Sequence, residues 1–313
     1  MIEATGLQKH HGATKALQGV TFCVGHGEIL GLLGPNGAGK TTTLRILVGL
    51  SRATAGTARV GGFDVQREHR KVREILGYLP EDSPHYPEMR VEDFLRFMAG
   101  MKELPRRSIR AAVEQAIEET DLAGFRTRLL GNLSKGMRQR VGIAQAILGD
   151  PKVLILDEPT VGLDPTQIGE VRDLVKSMRG RRTVVFSTHI LPNVSATCTR
   201  VAILNRGRLM AEGPTEDVTR RYAARRLVVL VAGEATKAEG VLRGVLGEDF
   251  ASVTRDSAGD ATTLRASYRG NGDHRAGAIK ALVDAGVPLL ELYEDRPSLE
   301  EVFLAATSGG DGP

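Results

Sequence analysis

The sequence predicts an α/β protein with a mostly parallel sheet, followed by a smaller α+β domain. Three observations carry that prediction. Short apolar runs of buried-strand type alternate with segments whose apolar residues recur at helical spacing, the pattern of a parallel sheet crossed by helices. One strand-to-helix joint, Gly34-Pro35-Asn36-Gly37-Ala38-Gly39-Lys40-Thr41, fits G-x-x-x-x-G-K-[ST], the spacing of a phosphate-binding loop. After about residue 222 the order of elements becomes βαββαβ, that of a ferredoxin-like domain. At 313 residues the chain is long enough for two domains, since single cores stop growing near ~250–300 residues.

Residues 2–7 and 16–24 read as antiparallel N-terminal strands, with Leu17, Val20, Phe22 and Val24 at the apolar positions of the second. Between them, His10-His11-Gly12 suits a loop. Residues 29–33 form a short apolar strand, residues 42–50 a helix after the phosphate loop, and residues 57–60 a strand closed by Gly61-Gly62. A charged surface helix over 67–76 leads into Gly77-Tyr78-Leu79-Pro80. From 91 to about 123 the pattern is wholly helical, marked by Phe94, Leu95, Phe97 and Met98 and then by Ile109, Val113, Ala116 and Ile117. This helical insert lies within a subdomain of about 82–148, whose last helix starts at Leu133-Ser134 and is stopped by Gly149-Asp150-Pro151.

A buried strand over 152–156 ends in Asp157-Glu158, a helix spans 167–178, and a strand over 183–186 ends at Ser187-Thr188-His189. Residues 201–204 and 208–211 flank Asn205-Arg206-Gly207, a hairpin signal. The character changes over 213–222. The second domain, 223–307, reads as strands at 227–231, 250–254, 262–268 and 289–293, with helices at 237–246 and 274–285. A last helix covers 299–307, and 308–313 form a loose tail.

The phosphate loop has a chemistry that explains its residue types. Glycines let successive backbone N–H groups curl around phosphates, and the following helix aims its positive end at them. Gly34, Pro35, Asn36, Gly37, Ala38, Gly39, Lys40, Thr41 and Thr42 are therefore the candidate nucleotide-binding residues. Lys40 would reach the β- and γ-phosphates, and the Thr41 hydroxyl would serve Mg²⁺, which keeps most of its shell as water and phosphate oxygen.

Composition narrows the partners. No run of eighteen apolar residues occurs and the N-terminus lacks the pattern of a secretory signal, so a soluble cytoplasmic chain is expected. Cys23 and Cys198 have no metal-ligand spacing and read as buried free thiols. A balance of 42 Lys+Arg against 38 Asp+Glu gives a charge of +4, too mild to argue for nucleic acid, and none is expected as a partner.

At this point the sequence strongly resembles the nucleotide-binding subunits of ABC transporters over residues 2 to about 212. Leu133-Ser134-Lys135-Gly136-Met137 stands where that family has its signature, usually L-S-G-G-Q. Residues 153–158 resemble its Walker B strand, Val161-Gly162-Leu163-Asp164 its D-loop, and His189 falls at its switch histidine. The resemblance implies a P-loop NTPase core at 1–222 that binds ATP with Mg²⁺ and hydrolyses it. Asp157 would hold the metal through water and Glu158 would orient the attacking water, while His189 would bond the γ-phosphate or that water. For His189 a satisfied core histidine is the competing reading.

Ser134 is a natural N-cap, so the helix behind it offers a second anion site. In the family the signature of one subunit closes over the ATP of another, which implies a homodimer or a paired ATPase subunit. It also implies a separate integral-membrane permease, hence a place at the cytoplasmic face of the membrane.

Four positions depart from the family. Lys135 and Met137 replace Gly and Gln; a lysine in a first helical turn opposes the helix dipole unless an anion is near, which leaves a reach toward phosphate or a solvated side chain. Glu81 stands where most relatives have a glutamine, and its carboxylate still offers oxygen to Mg²⁺ or water. His11 stands where a tyrosine usually stacks on adenine, and imidazole stacks with less area. The signature variant, Glu81 and the ending Ser298-Leu299-Glu300-Glu301-Val302-Phe303 look most like ATPases of bacterial exporters, including gliding-motility-associated and drug-resistance types. The alternative weighed is a soluble ABC ATPase acting on ribosomes or DNA. Against it stand the single phosphate loop and the absence of a long heptad run.

Overall fold

The computed structural model describes residues 1–83, 86–188, 190–222, 225–233, 235–269, 272–295 and 298–308. They divide into two compact units, residues 1–215 with 306–313, and residues 216–305.

In the first unit β1 (Ile2–His11) and β2 (Thr14–Val24) form an antiparallel hairpin. His10 pairs with Lys15 and His11 with Thr14, so the two histidines expected in a loop extend the strand, and the turn falls on Gly12-Ala13. β3 (Ile29–Leu33) is buried at every residue and runs into α1 (Lys40–Leu47). The helix expected over 42–50 thus begins two residues earlier, which puts Lys40 and Thr41 in its first turn. β4 (Ala55–Val60) pairs with β1, and the two-residue β5 (Phe63–Asp64), which carries no sequence signal, completes a four-stranded antiparallel sheet in the order β2-β1-β4-β5.

α2 (His69–Ile75) is shorter than expected because Leu76 already belongs to β6 (Leu76–Leu79), paired in parallel with the buried strand that ends at Asp157. Gly77 lets the helix that carries Ala146 lie close on β6: a Cβ there would lie 2.1 Å from the Ala146 carbonyl oxygen. The helical insert, read as one apolar segment followed by another, forms α3 (Val91–Met101) and α4 (Arg106–Glu119). Pro105 enforces the break, since it disfavours helical backbone at the residue before it, and Glu103 has φ +58°. α5 (Lys135–Ile147) packs behind them and β7 (Val153–Leu156) follows. Then come α6 (Pro165–Ser177), β8 (Thr183–Thr188), the short α7 (Leu191–Ser195), β9 (Arg200–Asn205) and β10 (Arg208–Pro214).

The central sheet has the order β10-β9-β3-β8-β7-β6. All its pairs are parallel except the β9–β10 hairpin, whose turn residues Arg206 and Gly207 both have positive φ, as a two-residue type I′ turn requires. One core joins both sheets, with Ile2, Leu7, Leu17, Leu30, Leu32, Leu44, Leu47, Ile155 and Val185 fully buried. The sequence expectation of an α/β fold with antiparallel N-terminal strands is met, and the carboxyl ends of β3, β7 and β8, which lead to Gly34, Asp157 and Ser187, lie together at one end of the parallel sheet.

α8 (Thr215–Tyr222), not expected as a helix, precedes the second unit's sheet. There β11 (Arg225–Ala232), α9 (Thr236–Leu246), β12 (Phe250–Ala258), β13 (Ala261–Tyr268), α10 (Arg275–Asp284) and β14 (Leu289–Asp295) follow the βαββαβ order. The sheet is antiparallel in the order β12-β13-β11-β14, the ferredoxin-like arrangement. Leu227, Val229, Val231, Leu264 and Ala266 meet Ala238, Leu242, Ala278 and Leu282 in its core. α11 (Leu299–Ser308) ends the described chain, so all but Ser308 of the expected tail lies outside the described residues.

Candidate active site

The phosphate loop owes its form to two glycines. Gly39 caps α1 with φ +104° and no side chain to cap it, and a Cβ there would lie 2.7 Å from Leu17 Cδ2 and 2.8 Å from the Ala16 carbonyl. Gly34 is buried, and its Cβ would lie 2.5 Å from the Leu204 carbonyl oxygen. The first turn of α1 contains no acidic residue, so its N–H groups and positive dipole end face the loop uncompensated.

Lys40 is buried to 6 % exposure, an uncommon state for an ammonium group that needs paired anionic or carbonyl oxygen around it. Its Nζ donates to the Gly34 carbonyl at 2.7 Å and lies 3.2 Å from Glu158 Oε1. Glu158 is itself 7 % exposed and adopts φ +47°, a sparsely populated backbone state for a non-glycine residue, of the kind that clusters at functional sites. The Glu158 backbone N–H donates to Ser187 Oγ at 2.8 Å, and Ser187 Oγ donates in turn to Asp157 Oδ1 at 2.7 Å. Thr41 Oγ1 donates to the same Oδ1 at 3.3 Å.

Ser187 is the residue that sequence reasoning missed. Its signal was the side-by-side ending of β7 and β8: Leu156 pairs with Phe186, so the next residue on each strand, Asp157 and Ser187, are brought level. Burial pushes the Asp157 carboxyl above the usual carboxylate range, while the Ser187 and Thr41 hydroxyls pull it the other way.

Asp157 Oδ2 is buried and has no hydrogen-bond partner among the described residues. An orphaned carboxylate oxygen beside a threonine hydroxyl is a hard-oxygen donor set of the type that suits Mg²⁺. No cluster of three His, Cys, Asp or Glu residues able to hold a metal occurs among the described residues, so the protein would supply few of the ion's ligands.

The other expected site residues lie apart. Ser134 caps α5 by accepting from the Met137 N–H at 3.3 Å, and Gly136 is buried against Gln167, whose Cδ would stand 2.6 Å from a Cβ. Lys135 is exposed, and its Nζ lies over Gly162, 2.1 Å from where a Cβ would stand. Asp164 caps α6 by accepting from the Gln167 N–H at 2.9 Å. A cavity of about 530 Å³ opens here, lined by Ser134, Gly136, Met137, Asp164 and Gln167 among others. No hydrogen bond or ion pair among the described residues joins this group to the phosphate loop.

Glu81, after β6, is exposed and makes no hydrogen bond or ion pair among the described residues. His11 is exposed at the end of β1. His189 lies outside the described residues.

The arrangement can hold an anion on N–H groups and an ammonium group, and it sets two carboxylates beside that anion. Comparison with known proteins says which family uses it. Residues 17–161 match the family described as ABC transporter. The chain is 34% identical over 309 residues to the daunorubicin resistance ATP-binding protein DrrA3 of Streptomyces coeruleorubidus, covering 98% of this chain and 95% of that protein. It is 35% identical to the daunorubicin/doxorubicin resistance ATP-binding protein DrrA of Streptomyces peucetius, covering 98% and 92%. A solved ATP-binding subunit of an ABC transporter superposes with a TM-score of 0.63 at 31% identity, covering 71% of this chain and 93% of that one. Similarity at this level over nearly the whole of both chains makes the protein an ATPase of the ABC transporter family, one of its ATP-binding subunits.

Proposed function

We propose that this ATPase drives export through a separate integral-membrane permease, by closing on ATP as a head-to-tail pair of subunits. The observation that carries the reading is the separation of two anion-receiving helix ends in one chain. α1 opens at the phosphate loop with Lys40, Thr41, Asp157 and Glu158 around it, while α5 opens at Ser134 with no bond to that loop among the described residues. A second subunit supplies what each site lacks.

In this reading Lys40 and the first-turn N–H groups of α1 bind the β- and γ-phosphates. Bound Mg²⁺ would neutralise phosphate oxygens, with Thr41 and Asp157 as the residues that hold it. Glu158, held by its backbone bond to Ser187, orients the water that attacks the γ-phosphorus and accepts its proton. Ser134 spends its hydroxyl on the Met137 N–H, which leaves the free N–H groups of the first turn for the partner's nucleotide. Lys135, exposed and seated over Gly162, carries its charge beside the loop that ends at Asp164. Glu81, His11 and His189 keep the roles that the resemblance implies, at the water, at adenine and at the γ-phosphate.

Export is supported by relatives named for drug resistance that match over the second unit as well as the first. A separate permease chain is consistent with the described residues, none of whose helices is long and apolar enough to cross a membrane. In this scheme the subunit works at the cytoplasmic face, through that partner. Affinity purification from detergent-solubilised membranes tests the assignment: a multi-span protein should co-purify in stoichiometric amount, and recovery of ribosomes or DNA with no membrane protein would refute it.

A further inference from the structure

The β9–β10 turn touches the phosphate loop on one side and the end of the described chain on the other. On the loop side, the Gly207 N–H donates to the Ala38 carbonyl at 3.0 Å. The Gln18 N–H donates to the Gly207 carbonyl at 2.8 Å, and Gln18 Nε2 donates to the Arg206 carbonyl at 2.8 Å. Contact is closest at backbone level: a Cβ on Gly207 would lie 2.6 Å from the Ala16 carbonyl oxygen, and one on Gly34 would meet the Leu204 carbonyl. In a two-residue turn of this type the N–H of the second central residue is not needed by the ladder. Here it is spent on the loop.

On the other side, Asn205 Nδ2 donates to the Ala306 carbonyl at 3.4 Å and to the Thr307 carbonyl at 3.3 Å. Both carbonyls belong to the last turn of α11. Residues 306–308 accordingly belong to the first compact unit, although the rest of α11 belongs to the second. Asn205 thus bonds the end of α11 and stands two residues from the N–H that holds Ala38.

We propose that Asn205 is a positioning residue for the phosphate loop, which ties the C-terminal end of α11 to the Ala38 carbonyl through the 205–207 turn. The proposal rests on the ATPase reading of that loop. With the tie in place the turn holds residues 34–39 in the curled form that accepts phosphates. With it released, the turn loses its outer anchor and the loop must be ordered by the nucleotide itself, so affinity falls while the reacting groups on β7 and β8 are untouched.

The test compares full-length protein, Asn205→Ala, a chain ending at Ala305, and both changes together. Three quantities are measured: the dissociation constant of fluorescent ADP, the melting midpoint without nucleotide, and the KM and kcat of ATP hydrolysis. Asn205→Ala and the truncation should each weaken ADP binding and raise KM about three- to tenfold, the worth of about one hydrogen bond, with kcat within about twofold. The combination should bind no more weakly than either change alone, because both cut one tie. Asn205→Asp, which keeps the turn but sets an acceptor against two carbonyls, should weaken ADP at least as much as Asn205→Ala. ADP affinities that stay within about twofold of the parent, or a combined loss equal to the product of the two, would overturn the proposal. Failure of the parent protein to bind ADP at all would instead overturn the ATPase reading.

Discussion

Arg182→Met should destabilise the first unit by about 3 kcal/mol, and adding Glu119→Gln should restore part of that loss. Arg182 lies at the start of β8 and is 3 % exposed. Its guanidinium donates to Glu119 at 2.6 and 3.2 Å, at the last residue of α4, and to Asp150 at 2.7 Å. Removing one partner of a buried ion pair costs about 3–5 kcal/mol. Glu119 keeps 16 % exposure and a bond from Gln115 at 2.8 Å, which places the cost at the low end. Asp150 is 69 % exposed, so its share is under about 1 kcal/mol. The Arg182 Nε is buried without a partner among the described residues, so a methionine also removes an unsatisfied donor.

Urea unfolding of the four proteins in the cycle measures this. Glu119→Gln in the Arg182→Met background neutralises the stranded carboxylate, and the double variant should exceed Arg182→Met in stability. The Arg182 hydrogen bonds hold the Glu119 carboxyl below its usual range. A carboxylate with a depressed folded value contributes stability above its unfolded value of about 4.3, and loses it as pH falls through the folded value. The gap between wild type and Arg182→Met should therefore be constant from neutral pH to about pH 5 and narrow in acid. A loss under about 1 kcal/mol, or a double variant less stable than Arg182→Met, would refute the assignment of that carboxylate as dependent on Arg182.

Glu158→Gln should keep ATP binding yet lower phosphate release by about 10²–10⁴-fold, the range for a positioned general base, and a closed dimer should accumulate on size-exclusion chromatography with ATP. Near-normal turnover would show that another group positions the water. Gly39→Ala forces a Cβ to 2.7 Å from Leu17 Cδ2 at φ +104°, so equilibrium dialysis should show nucleotide binding lost while circular dichroism stays native. His11→Ala should raise the nucleotide dissociation constant with little change in saturated turnover, and unchanged binding would remove this exposed residue from the adenine site.

How far the site was legible depended on what each part of it needs. The phosphate loop and Asp157-Glu158 are local in sequence, because a curled loop requires glycine at fixed offsets and strand-end carboxylates follow an apolar run. Ser134 was equally readable, since an N-cap is fixed by residues three apart, whereas Asp164 entered only through the family resemblance. Element boundaries near Pro105 and Leu76 were not, because helical periodicity continues across a break that only the backbone and the neighbouring strand impose.

The sequence by itself determined the class of chemistry, the alternation of strands and helices, and the βαββαβ order of the second unit, all of which rest on short-range pattern. Tertiary structure alone decided that Ser187 bonds Asp157, that Lys40 is buried against Glu158, and that Asn205 meets Ala306 and Thr307. Those pairs lie 30, 118 and about a hundred residues apart, and no local preference specifies a partner at that range. Strand pairing in the parallel sheet sets the first two side by side, through register that the hydrophobic core of the assembled fold fixes, and the third depends on where α11 ends.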